Sequence, residues 1–188
     1  MEATARNTGS CSWNNADRCV MCLRLADAPD LLDVAMDRTF IHVDGKFVSI
    51  KDSKLKKRHF VQMLVPNDLD LIPVEDVGDY FRDGEMVDCS LIVRSSRDDR
   101  DHVALAWDDA LDVSYNLARH LNCLHGEPRF DGLKPGESKT VTGKIYFLSG
   151  TRKAIYGPFA GDFPSLGYGK RKRPAPQNAA EYTERLRE

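Results

Sequence analysis

Asn116 to Thr151 reads NLARHLNCLHGEPRFDGLKPGESKTVTGKIYFLSGT, and its second half decides the fold. Lys134-Pro135-Gly136-Glu137 is turn chemistry: proline presets one backbone angle and glycine accepts a positive one. Beyond the turn, Val141, Gly143, Ile145 and Phe147 alternate with Thr140, Thr142, Lys144, Tyr146 and Leu148. A period of two marks a strand with one face toward a core. The first half, Asn116 to Pro128, holds the densest set of chemically capable side chains, namely Asn116, His120, Asn122, Cys123, His125 and Glu127. Polar groups carried on a rigid β-scaffold are a common way to build a binding site.

The same pattern recurs upstream. TFIHV and KFVSI, within Thr39 to Ile50, flank Asp44-Gly45, the two-residue signal of a type I′ hairpin. There His42 shares a face with Phe40. Cys19 to Leu25, His59 to Val65, Val87 to Val93, His102 to Trp107 and Val113 to Asn116 supply further strand-like runs. Ala26 to Asp37 suits a short helix with Asp30 as N-cap, and Asp68 to Asp88 a long acidic loop. The sum is roughly seven strands joined by tight turns, which predicts a mainly-β chain folded as an antiparallel β-sandwich. The expected organisation is a disordered N-terminus over 1–12, one sandwich domain over 13–160, and a flexible Pro/Gly/basic tail over 161–188.

Composition bounds the function. A chain of 188 residues can bury a core without disulfide or metal staples. A formal net charge of −2 gives no global argument for nucleic acid or an anionic membrane, and neither partner is expected. The basic runs Lys51–His59 and Lys170–Arg173 read as solvated loop and tail. No apolar stretch approaches the roughly 18–20 residues of a membrane span, and the first residues lack the apolar region of a secretory signal. Five cysteines, at 11, 19, 22, 89 and 123, are odd in number and scattered. That is not a disulfide framework, and a reducing cytoplasm is the default compartment.

Within Asn116–Pro128 three chemistries compete. His125 and Glu127 lie two apart, on one side of an extended chain, as an acid/base pair for sugar ring opening would. Tyr115 could stack on a pyranose face, with Asn116 and His42 as further binding residues. Cys123 and His125 could instead ligate a metal, and Cys19, Cys22, Cys123 and His125 can be drawn as one zinc set. Against the full set, residues 19 and 22 point to opposite faces of a strand. Cys123 with His125 or His120 could also pair as nucleophile and base, but no oxyanion-hole motif accompanies them. The plain alternative is a buried Cys beside a hydrogen-bonded His, bracing a loop.

Several spaced motifs carry a resemblance. T-F-I-H-V-D-G-K-F at 39–47, A-L-A-W-D at 104–108, C-L-H-G-E-P at 123–128, L-K-P-G-E at 133–137 and G-K-I-Y-F-L-S-G-T at 143–151 resemble a bacterial β-sandwich family whose members are largely uncharacterised. More distantly, the segment resembles galactose-mutarotase-like sandwiches, in which an acid so placed can be the catalytic base; that resemblance implies this role for Glu127. Full mutarotases are considerably longer, and their partner histidines have no assignable counterpart beyond His42 and His102. The leading expectation is therefore a carbohydrate-related domain, sugar-binding or mutarotase-like, with His125 and Glu127 catalytic and Asn116, Tyr115 and His42 binding a small molecule or glycan. A structural or interaction module and a metal-binding protein using Cys123 and His125 are the alternatives. No cofactor is expected, and an open sheet edge invites a second copy of the chain.

Overall fold

The computed structural model describes residues 1–13, 21–43, 45–53, 60–64, 87–116, 121–130 and 132–164. Ten strands lie among the described residues. They are β1 (Glu2–Arg6), β2 (Met21–Arg24), β3 (Thr39–Val43), β4 (Lys46–Ser49), β5 (Phe60–Leu64), β6 (Ile92–Ser95), β7 (Asp101–Trp107), β8 (Ala110–Asn116), β9 (Cys123–Pro128) and β10 (Ser138–Ser149). One helix follows, α1 (Lys153–Asp162). The strands form a six-stranded sheet, β1-β10-β7-β6-β3-β4, and a four-stranded sheet, β2-β9-β8-β5, with every described pairing antiparallel. The mainly-β antiparallel sandwich expected from strand periodicity is what the chain forms.

Alternation explains the layers. Ile41, Ile92, Leu105, Trp107 and Val141 of the larger sheet meet Val113, Tyr115 and Leu124 of the smaller one in a single buried cluster. The other face of the larger sheet presents Phe40, Val93, Ala104, Ala106 and Tyr146 to Ile155 and Phe159 of α1 and to Phe163 beyond it. The expected organisation, a sandwich over 13–160 followed by a flexible tail, contains no helix here. Ile155, Phe159 and Phe163 recur every four residues, a helical apolar stripe, but Gly157, Pro158 and Gly161 disguise it.

The residues 1–12 expected to be disordered are not so. Glu2–Arg6 pairs with β10 from Glu2↔Thr142 to Arg6↔Ser138, and the Thr4 and Thr140 hydroxyls meet at 2.8 Å. Ala3 and Ala5 supply a thin apolar face that packs on the core. The Asn7 amide, fully buried, donates to the carbonyls of Cys11 (2.8 Å) and Leu133 (2.9 Å) and closes the segment. Further along, the strand expected over Val87–Val93 begins only at Ile92. Before it Asp88 turns aside to accept the Gly45 N–H at 2.8 Å and approach His42 at 2.9 Å. The helix expected near Asp30 is a single 3-10 turn, Pro29–Leu31, preceded by Ala28 rather than capped by Asp30. The boundary set at 161 falls inside α1, and residues 165–188, including Lys170–Arg173, lie outside the described residues.

Trp107 fixes how the sheets meet. It is 2% exposed and lies directly opposite Gly143 in the β7–β10 register. A methyl group at Gly143 would stand 2.5 Å from Trp107 Cε3 and 2.6 Å from Cδ2; one at Gly126, on the facing sheet, would stand 2.9 Å from Cδ1. The indole fills the space that both glycines leave. Gly143→Ala should therefore cost about 1–3 kcal/mol of stability through overpacking, and more than Gly126→Ala. Urea unfolding would show this as a lower midpoint at unchanged m-value; equal stability of Gly143→Ala and the parent chain would refute the packing account.

Candidate metal site on the four-stranded sheet

The register of β2, β8 and β9 builds the site. Leu23, Val113, Tyr115 and Leu124 turn toward the larger sheet, so Cys22, Ser114, Asn116, Cys123, His125 and Glu127 occupy the opposite face. Across the strands Cys22 pairs with His125 and His125 with Ser114; in the next row Arg24 pairs with Cys123 and Cys123 with Asn116. One ligand atom from each of Cys22, Cys123 and His125 falls within 4.8 Å of the others.

Burial is steep across this small area. Cys22 is exposed, whereas Cys123 is 3% exposed and His125 9%. His125 Nδ1 and Ser114 Oγ stand 3.2 Å apart, a contact that holds the ring in the manner of an outer-shell partner and leaves Nε2 as the nitrogen for a ligand. Burial lowers the His125 pKa, keeping the imidazole neutral. Burial pushes the Cys123 thiol up to about 12, and its contact with Cys22 adds to the effect, while Arg24 and Arg94 act against it. The Cys123 sulfhydryl donates to the Leu121 carbonyl at 3.3 Å. A neutral imidazole and two thiols on adjacent strands form a donor set suited to a borderline-soft cation.

The residues expected to form one site are divided by the fold. His125 and Glu127 do share a face of β9, with Asn116 opposite Cys123 on the neighbouring strand. Tyr115 does not join them: it is fully buried on the inner face, in the inter-sheet core, where burial raises its pKa. The alternation that put His125 outward put Tyr115 inward. His42 lies on the other sheet, on the face that carries α1, with Nδ1 2.9 Å from Asp88 Oδ2 and its ring stacked on Tyr156. Cys19 and His120 fall outside the described residues. Ser114 was missed altogether. Only the β8–β9 register sets its hydroxyl against His125, and nothing local in DVSYN announces that register.

The fold and the cluster together define a two-sheet antiparallel β-protein with a Cys2His donor set on the outer face of its smaller sheet. No protein-family model, curated protein or solved structure matches the chain.

Proposed function

We propose that the protein binds a divalent metal ion of the zinc type through Cys22 Sγ, Cys123 Sγ and His125 Nε2. The observation that carries this reading is the convergence of the three ligand atoms to within 4.8 Å. With Zn–S near 2.3 Å and Zn–N near 2.0–2.1 Å, tetrahedral donors stand about 3.5–3.8 Å apart. Closing that gap takes small side-chain rotations rather than movement of the sheet. The Ser114 contact supports the reading, because a ligating His whose other nitrogen is held keeps one tautomer and one orientation. A bound ion would cross-link edge strand β2 to β9, so metal binding would add to folding stability. The sugar-directed reading keeps His125 and Glu127 together but loses Tyr115 as a stacking ring, and its acid/base pair is 9% and 2% exposed. The metal reading asks less of the site.

Metal analysis of the purified chain after zinc loading should give one ion per molecule. Competition against a chromogenic chelator should show that Cys22→Ser, Cys123→Ser and His125→Ala each lose it. Ser114→Ala should fold normally and bind about 10–100-fold more weakly, the usual cost of removing an outer-shell partner. A folded chain that takes up no stoichiometric metal, or three ligand variants that bind as the parent does, would remove the reading. Sugar binding in such a protein, measured on a glycan array and by mutarotation, would favour the other.

A further inference from the structure

The two sulfur donors are unlike in a way that metal binding does not use. Cys22 is exposed on β2, a strand bonded to β9 alone among the described residues, while Cys123 is buried on β9. Their sulfurs approach within 4.8 Å, and both thiols are free. Cys22 pairs with His125 and Cys123 with Arg24, so the two cysteines are diagonal neighbours. Diagonal pairs have Cα atoms about 7–8 Å apart, at or just past the reach of a relaxed disulfide. An edge strand of four residues, held on one side, is the part of the sheet able to move the remaining distance.

We infer that Cys22 and Cys123 form a peroxide-sensitive dithiol, whose oxidation to a disulfide releases the metal. The release rests on the metal reading; the dithiol rests on the placement of the two sulfurs. The Cys22 sulfur, the accessible one, attacks a peroxide oxygen: an S–O bond forms, the O–O bond breaks, and one water leaves with the thiol proton. The Cys123 sulfur then attacks the Cys22 sulfur: the S–S bond forms, the S–O bond breaks, and a second water leaves with the second thiol proton. The peroxide is reduced by two electrons and the two thiols are oxidised. His125 is then the one ligand left of the three, too few to retain the ion. A disulfide that strains a sheet edge is readily reduced, which makes the change reversible.

The test treats the full-length reduced chain, zinc-loaded and zinc-free, with hydrogen peroxide, then blocks free thiols and maps peptides. A Cys22–Cys123 cross-link is expected, with loss of bound zinc to a chelating dye and recovery of both thiols and zinc binding after a dithiol reductant. Cys22→Ser and Cys123→Ser should abolish the cross-link, whereas Cys11→Ser, at an exposed position elsewhere, should leave it. Cross-links that use Cys11 or Cys19 instead, or oxygen addition at Cys22 without a cross-link, would overturn the dithiol. The two readings fail separately. A cross-link in a chain that never takes up zinc upholds the dithiol and removes the metal. Zinc retained through peroxide with no cross-link removes the dithiol alone.

Discussion

Replacing Arg94 with alanine is expected to lower the unfolding free energy by about 3–5 kcal/mol, the scale of breaking a buried charge pair from one side. Arg94 and Asp33 are both fully buried, with Nε 3.9 Å from Asp33 Oδ2. Thr39 lies between them: Arg94 Nε donates to Thr39 Oγ1 at 2.8 Å, and Thr39 Oγ1 donates to Asp33 Oδ2 at 2.6 Å. Arg94 Nη1 donates to the Leu31 carbonyl at 2.6 Å and to Asn122 Oδ1. Asp33 also accepts the backbone N–H groups of Asp37 and Arg38, at 3.1 Å each. Burial lowers the Arg94 pKa to about 10, with Asp33 opposing, so the guanidinium stays charged at neutral pH. Without it, among the described residues, the Asp33 carboxylate keeps a hydroxyl and two amides but no ion-pair partner. Chemical unfolding of Arg94→Ala beside the parent would measure the loss. A difference below about 1 kcal/mol, the value of an ordinary exposed pair, would contradict it.

The Arg94 network ties the larger sheet to the strand that carries the candidate site. Asn122 has a positive φ of 44°, immediately before Cys123, and its carbonyl accepts the Leu25 N–H at 3.1 Å, beside the end of β2. Loss of Arg94 therefore frees the Asn122 side chain at the point where β2 and β9 come together. Arg94→Ala should accordingly weaken metal binding as well as stability.

How far the sequence could have led is clear from particular residues. Asp44-Gly45 specifies its hairpin locally, and Gly45 takes the expected positive φ of 76°. β10 is equally legible, because a turn and a period of two need no distant information. Cys22 beside His125 is different: the pairing joins strands about a hundred residues apart in sequence, and only the assembled sheet brings them into register. The zinc set drawn from Cys19, Cys22, Cys123 and His125 already held the three residues that converge, and the opposite facing of residues 19 and 22 counted against it only because no partner strand for Cys22 was known. Arg94 was hidden for a related reason. In LIVRS it resembles the polar exit of a strand, while Asp33, Thr39 and Asn122 are scattered through the chain. Tyr115 and His42 show the converse error, in which residues near the site in sequence or in chemistry were credited to it before any face was known.

Metal affinity is expected to rise with pH, by about one log unit per pH unit for the proton that Cys123 gives up on binding. Each thiol that becomes a thiolate ligand releases a proton, and the metal must displace it. Cys123 holds its proton tightly: burial pushes it up to about 12, and its neighbour Cys22 pushes the same way. Its share of the slope should therefore persist across about pH 6–8. His125 works in the other direction. Its pKa is lowered by burial, so near neutrality the ring is already the neutral ligand and gives up no proton on binding. Arg24, opposite Cys123, and Arg94, behind it, both favour the thiolate. Arg24→Ala should then raise the thiol pKa further and weaken binding most at the low end of the range. Competition titrations across that pH window would give the slope directly. An affinity flat with pH would mean that the ion is not held by thiolates, which would remove Cys22 and Cys123 as ligands even if some metal bound.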